Sequence, residues 1–208
     1  MFVTLEGGEG AGKSTQARLL ADRLALEGFP VLLTREPGGS PGAEALRELL
    51  LHRAGGWSSL AETLLHFAAR AEHVARTLRP ALAAGLVVVC DRFTDSTIAY
   101  QGHGQGADQA SIGQLAGLIG LRPDLTLILT LPREEARRRL AGRAAPRDRY
   151  EALDEAFHGR VAQGYRLIAA AEPGRCVEVA AGGGVETVAA LIWEAVRARL
   201  PRDAEAQA

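Results

Sequence analysis

The chain has 208 residues, 47% of them hydrophobic and 24% charged, with a formal net charge of -1. That composition supports one globular domain with its own core and excludes a disordered chain, which combines low apolar content with high net charge. The near-neutral balance removes the basic footprint of a dedicated nucleic-acid binder, and two cysteines, Cys90 and Cys176, are too few for a disulfide framework or a metal cluster.

In chain order, residues 2–6 form a first short apolar strand. No basic stretch followed by an apolar segment precedes it, so no signal peptide is expected. No apolar run reaches the ~18 residues of a membrane span, so a single cytoplasmic domain over residues 1–208 is expected, without membrane partners. Residues 7–14, Gly7-Gly8-Glu9-Gly10-Ala11-Gly12-Lys13-Ser14, fit the pattern G-x-x-x-x-G-K-[ST]. They follow a predicted strand and open a predicted helix over 13–27, with Leu19, Leu20 and Leu24 at helical spacing and Gly28 as its stop. Loop amides and a helix N-terminus aim positive partial charge at an anion. Lys13 adds a compact ammonium for the outer phosphates of a nucleoside triphosphate, Ser14 a hydroxyl for Mg²⁺, and Thr15 follows on the helix. Of the 24 basic residues, 23 are Arg and one is Lys. A coding bias explains the arginines, and this phosphate cradle explains the surviving Lys13, because a planar guanidinium fits it poorly. Glu9 would be repelled by the phosphates, so it must point away from them, either toward solvent or toward a second substrate.

A strand over 31–35 comes next, then predicted helices over 43–51 and 59–79. The strand over 86–91, Leu-Val-Val-Val-Cys-Asp, ends in Asp91 at the C-terminal edge of the expected sheet, where ligands of open α/β sheets bind. Asp91 can assist the Mg²⁺ near Ser14, and the fork of Arg92 suits a phosphate. Further on lie a helix over 110–121, a strand over 125–131, helices over 133–141 and 150–171, a strand over 176–179 and a helix over 185–200. Residues 201–208 read as a polar tail. Continuously apolar strands alternating with helices predict a three-layer α/β fold, a five-stranded parallel sheet flanked by helices. After the fourth strand, three consecutive arginines (137–139) close a helix, and 142–150 reads as a short mobile lid. Its Arg143, Arg147 and Arg149 are placed to close over a triphosphate and supply charge that the phosphate loop lacks, unless they are merely a solvated helix end.

The chain lacks Asn and has one Lys, which excludes the Asn-Lys-x-Asp guanine motif of GTPases. Two further stretches are more telling: Thr34-Arg35-Glu36-Pro37-Gly38-Gly39 and Asp95-Ser96-Thr97-Ile98-Ala99-Tyr100-Gln101-Gly102. With Phe67-Ala68-Ala69-Arg70, Asp91-Arg92-Phe93 and the phosphate loop, the sequence resembles the thymidylate kinases of the bacterial type over essentially its whole length. The resemblance implies a P-loop kinase fold, ATP as donor, Mg²⁺ as cofactor, transfer of the γ-phosphoryl to dTMP, and a homodimer. It implies Glu9 on the deoxyribose 3′-hydroxyl, Arg92 and Arg47 on the dTMP phosphate, and Glu36 among the substrate-site residues. It further implies Arg70 on the thymine carbonyl edge, Ser96, Thr97 and Gln101 near the base, Tyr100 crowding the 2′ position, and Arg143 and Arg149 in a basic lid. Two positions depart from the pattern. The family's base-stacking Phe stands four residues before Arg70, where this chain has His66 with Phe67 beside it, so either ring can be the one in the pocket. Thr130 stands where many relatives carry Asp. Other readings compatible with the motifs are a deoxynucleoside kinase, with Glu9 or Glu36 as base, another P-loop small-molecule kinase, or an ATP-binding module without transfer.

Overall fold

The structure is a computed structural model, describing residues 1–52, 56–142 and 149–200. Five strands, β1 (Phe2–Gly7), β2 (Val31–Arg35), β3 (Val87–Asp91), β4 (Leu125–Thr130) and β5 (Cys176–Ala180), form one all-parallel sheet in the order β2-β3-β1-β4-β5. Nine helices are described: α1 (Lys13–Leu26), α2 (Pro41–His52), α3 (Ser59–His73), α4 (Arg79–Ala83), α5 (Thr94–Thr97), α6 (Gln109–Ile119), α7 (Arg133–Ala141), α8 (Glu155–Ala171) and α9 (Val185–Arg197). None of the described helices is long and apolar enough to cross a membrane.

The continuously apolar strands follow from a sheet covered on both faces. Side chains alternate along each strand. On one face Val3, Leu5, Val87, Val89, Leu125, Leu127 and Leu129 pack with Leu20 and Leu24 of α1 and with Val188 and Ile192 of α9. Burying Leu24 or Ile192 completely contributes roughly 1.5–3 kcal/mol each. On the other face Phe2, Val88 and Cys90 join Val74, Leu78 and Phe93, while Ile128 and Cys176 join Phe157, Val161, Tyr165 and Ile168. The three-layer expectation is met.

Three expected boundaries shift for local reasons. The helix expected over 59–79 runs as α3, then a π-helical turn Val74–Leu78, then α4. Pro80 has no N–H for the turn before it and its ring crowds that turn, so the backbone widens there. Residues 94–104 carry no predicted element, yet they form α5 and a second π-helical segment, Ile98–Gly104. The helix expected from 150 starts at Glu155, because Asp154 caps it: its carboxylate accepts the Phe157 N–H at 2.7 Å. Tyr150 is therefore outside the helix. Most of the expected lid, with Arg143 and Arg147, and the polar tail 201–208 lie outside the described residues.

Candidate active site

The phosphate loop turns from β1 into α1 at the C-terminal edge of the central strand. Its glycines are sterically required. At Gly7, φ is +136° and a Cβ would sit 2.5 Å from the Leu129 carbonyl oxygen; at Gly10, φ is +77° and it would sit 2.7 Å from that of Ala136. Gly12 is left-handed at the start of α1 and offers no side-chain cap, so the first helical amides remain available to an anion. Ala11 is buried beside it, and Thr15 is exposed on the first turn. Lys13 is 6% exposed, and its Nζ donates to the Gly8 carbonyl at 2.8 Å. Burial lowers its pKa most and the Arg92 charge lowers it further, against Glu9 and Asp91.

Parallel pairing sets Asp91 opposite Leu5 of β1, so its carboxylate lies beside the loop. Ser14 Oγ donates to Asp91 Oδ2 at 2.5 Å, and Asp91 Oδ1 is buried without a hydrogen-bond partner among the described residues. Among the described residues no group of three or more His, Cys, Asp or Glu side chains could hold a metal by itself. A hydroxyl and a carboxylate with an unmet oxygen fit Mg²⁺, which commonly completes its shell with water and substrate phosphates.

Arg92 is the sole non-glycine with positive φ among the described residues, at +73°. That strain costs about 1–3 kcal/mol and persists only where surroundings hold it. Here the Arg92 N–H donates to the Leu5 carbonyl at 3.0 Å and the Phe93 N–H donates to Glu6 Oε1 at 2.7 Å. The reversed backbone swings the guanidinium over the phosphate loop. Nη1 donates to the Gly7 carbonyl at 3.1 Å and to Ser96 Oγ at 3.1 Å; Nη2 meets Glu9 Oε1 at 2.6 Å and the Tyr100 hydroxyl at 3.1 Å. Burial alone would raise the Glu9 carboxyl, but Arg92, Lys13 and the Tyr100 hydroxyl outweigh it and hold it at about 2. Beneath them Glu6 is fully buried and also accepts from Ser96 Oγ at 2.5 Å and from the Tyr165 hydroxyl at 3.2 Å. Burial, then Asp95, pushes Glu6 up to about 7.

A cavity of about 410 Å³ opens from Glu9, Lys13 and Arg92 toward His66, Arg70 and Tyr150. Arg47, Ser96, Thr97, Tyr100 and Gln101 also line it. Arg70 is 2% exposed; its Nε donates to Glu36 Oε2 at 2.7 Å and its Nη2 to Thr97 Oγ1 at 3.1 Å. Its Nη1 is buried and without a hydrogen-bond partner among the described residues. Glu36 also takes His73 Nδ1 at 3.0 Å, so its carboxylate is committed to orienting neighbours. This leaves it poorly placed as a base. Arg47 Nη1 donates to the Pro37 carbonyl at 2.7 Å. His66 lines the cavity. Phe67 does not: it is 4% exposed, with the Arg70 guanidinium 4.8 Å above its ring. The ring at the cavity wall is therefore the imidazole, and the alternative of Phe67 in the pocket is not what the fold adopts.

Arg149, expected near the triphosphate, pairs in this structure with the buried Glu62 and donates to the Leu50 carbonyl at 3.1 Å, behind the cavity wall. Glu62 Oε1 accepts from Gln101, Gln105 and Tyr150, and Arg149 supplies the cation facing its Oε2. Thr130 ends β4 and donates across to the Val179 carbonyl of β5 at 3.3 Å. Glu6, Glu62, Tyr150 and Tyr165 were not anticipated as site residues. One signal was available for Glu6, a carboxylate at a strand position whose neighbours Val3 and Leu5 are core; the other three sit among helical or loop residues with no local mark.

A family model described as thymidylate kinase matches residues 5–192. The thymidylate kinase of Synechococcus sp. (strain JA-2-3B'a(2-13)) is 55% identical over 203 residues, covering 97% of this chain and 96% of its own length. That of Gluconobacter oxydans (strain 621H) is 54% identical over 204 residues, covering 96% and 95%. The crystal structure of thymidylate kinase from Ehrlichia chaffeensis superposes with a TM-score of 0.78 at 37% identity, covering 95% of this chain and 98% of that one.

Proposed function

The chain belongs to the thymidylate kinase family, and from that premise we infer that it transfers the γ-phosphoryl group of ATP to dTMP, giving dTDP and ADP. The observation that carries this reading is the reach of Arg92, whose one guanidinium contacts the phosphate loop at Gly7 and the cavity acid Glu9. A cation at that junction touches both phosphates of an in-line transfer.

The roles follow from charge and reach. The loop amides and Lys13 bind the donor phosphates. Ser14 and Asp91 would hold Mg²⁺, which supplies charge neutralisation on the phosphate oxygens. In the ligand-free chain Glu9 and Arg92 hold each other; with dTMP bound, Arg92 turns to the phosphate and Glu9 accepts the 3′-hydroxyl, while Tyr100 stays against the sugar. Arg47 joins Arg92 on the phosphate. Arg70 uses its unpartnered Nη1 on the thymine edge, with Thr97 and Glu36 fixing its plane, and Gln101 and His66 complete the base pocket. No general base is needed, because the acceptor phosphate is already an anion. Acceleration comes from alignment and from electrostatic stabilisation of charge spreading over the transferring group. Arg143 and Arg149 are the arginines assigned to the γ-phosphate, and Arg149 also supports the cavity wall through Glu62. A cytoplasmic location supplies the ATP and Mg²⁺ the reaction needs.

We also infer a homodimer. Packed side by side, α2 and α3 leave Leu49, Leu60 and Leu64 in solvent at 49%, 60% and 46% exposure. Leucines left in solvent on two packed helices offer an apolar face to a second copy. Light scattering of the double variant Leu60→Asp, Leu64→Asp should then give the mass of one chain, against two for the unmodified protein.

The reaction is tested by ADP release with dTMP, dUMP, thymidine and no acceptor. Turnover should be fastest with dTMP and close to background with thymidine. ADP release that needs no acceptor and ignores dTMP would overturn the kinase reading.

A further inference from the structure

Behind the base end of the cavity lies a buried carboxylate that the phosphoryl-transfer chemistry does not use. Glu62 of α3 is 0% exposed. Its Oε1 accepts from Gln101 Nε2 at 2.9 Å, from Gln105 Nε2 at 2.7 Å and from the Tyr150 hydroxyl at 2.8 Å, and its Oε2 faces Arg149. The Tyr150 hydroxyl in turn lies 2.9 Å from His66 Nε2 and 3.2 Å from Gln101 Nε2.

Counting protons along this chain fixes the imidazole. A phenol has one hydrogen to give and lone pairs to receive with. Glu62 Oε1 can only accept from Tyr150, so the phenolic hydrogen is directed there. What remains on the Tyr150 oxygen is acceptor capacity, filled by the Gln101 amide and by His66. His66 must therefore carry its hydrogen on Nε2, leaving Nδ1 bare. Among the described residues Nδ1 makes no hydrogen bond. Charge acts in the same direction: burial first, then the cations Arg70, Arg149 and Arg92, lower the His66 pKa to about 3, which keeps the ring neutral.

We propose that Glu62 and Tyr150 are positioning residues that fix the His66 imidazole as the Nε2–H tautomer in one orientation on the wall of the base pocket. A phenyl ring at position 66 would need no such anchor. An imidazole has polar nitrogens that would otherwise turn toward water or a neighbouring acceptor, and its smaller apolar area makes a fixed face more valuable to a stacked base. This rests on reading the cavity as the dTMP site. Arg149, held by Glu62, completes the support.

The test is a double-mutant cycle with an independent spectroscopic arm. Tyr150→Phe keeps the ring that packs edge-on 5.6 Å from Tyr100 and removes only the hydroxyl. In the unmodified background it should raise the dTMP KM about five- to tenfold, the scale of one orienting hydrogen bond, with the ATP KM and kcat within about twofold. In a His66→Phe background the same change should move the dTMP KM by less than about twofold, because no imidazole is left to orient. Equal penalties in both backgrounds, or none in the first, overturn the proposal. Two-bond ¹⁵N–¹H correlation spectra of the unmodified protein at neutral pH should show the Nε2–H tautomer at His66. An Nδ1–H tautomer or an imidazolium overturns the proposal whether or not the variants fold. If the unmodified chain fails to phosphorylate dTMP, the site reading falls instead, and the tautomer result still stands by itself.

Discussion

The phosphate loop takes its parts from consecutive residues, 7–14, whereas the acceptor cavity draws its walls from positions as far apart as Glu36 and Tyr150. In the loop, backbone amides and one ammonium do the binding, and the side chains are mostly absent. In the cavity the binding groups are side chains, several oriented by a buried carboxylate: Glu6 under Ser96, Glu36 under Arg70, Glu62 under Tyr150. A backbone cradle is rigid by local geometry. A side-chain cavity is rigid only while its supporting network is complete, so damage there should spread, and damage in the loop should stay confined to the donor phosphates.

The largest effect should come from removing the loop's one ammonium. Lys13→Ala should lower kcat by about 10³-fold, in the range measured for removing a preorganised charge from a transition state. The dTMP KM should stay within about threefold, because no described residue of the base pocket depends on Lys13. A KM that rises in parallel would show the two halves to be coupled through Glu9. On the acceptor side, Arg70→Ala should raise the dTMP KM by about 10²-fold and, unlike the loop variant, cost about 3–5 kcal/mol of stability, since Glu36 loses its buried cation. Urea denaturation of both variants separates them: a stable Arg70→Ala with a normal m-value would mean that the network is looser than its distances imply.

A smaller, purely positional effect is expected at Tyr165. Its hydroxyl donates to Glu6 and lies 3.4 Å from Arg92 Nη1. Tyr165→Phe should cut kcat about tenfold through misplacement of Arg92, with both KM values little changed. An unchanged kcat would assign the whole positioning of Arg92 to Ser96 and to the strained backbone.

The same division explains what could be read from the sequence. The phosphate loop is legible because its chemistry is local and its glycines are spaced by steric need. The strands are legible because a doubly covered parallel sheet makes them apolar throughout, as in Val87–Asp91. Residues 94–104 were not, because that segment turns Ser96, Thr97 and Gln101 inward to polar partners and so shows no apolar stripe; its π-helical turns have no propensity signature either. Tyr150 heads the helix expected over 150–171, and the Asp154 cap starts that helix at Glu155 and leaves Tyr150 to face the cavity. Arg149 is expected at phosphate from its charge, its place after the fourth strand and the family resemblance, while the buried carboxylate it pairs with stands 87 residues away. Glu6 and Tyr165 meet across 159 residues. Pairings at such separations leave no trace in a single chain's local pattern, which is why Arg92 was legible from its place after Asp91 and Arg70 from family resemblance, while their supports were not.

The subtlest consequence is a pH signature belonging to the cavity half alone. His66 has its pKa lowered from 6.5 to about 3 by burial and by the Arg70, Arg149 and Arg92 charges. Between those values the unfolded chain binds the proton more readily than the folded one, so this group makes stability rise as pH climbs from about 3 to 6.5, with the full contribution present above 6.5 and none below 3. Glu9, lowered from 4.5 to about 2, also adds a rise, confined to that lower window, whereas Glu6, raised from 4.5 to about 7, opposes His66 above pH 4.5. Replacing the imidazole by phenyl removes the His66 term and leaves the two carboxylates. His66→Phe should therefore lose less stability than the unmodified chain when the pH is taken from 6.5 to 5, a window in which Glu9 no longer titrates. Urea midpoints at those two pH values measure the difference. An identical pH slope in both proteins would mean that His66 binds its proton equally in the folded and unfolded chains, and would break the contrast between a loop held by its backbone and a cavity held by uncharged and paired side chains.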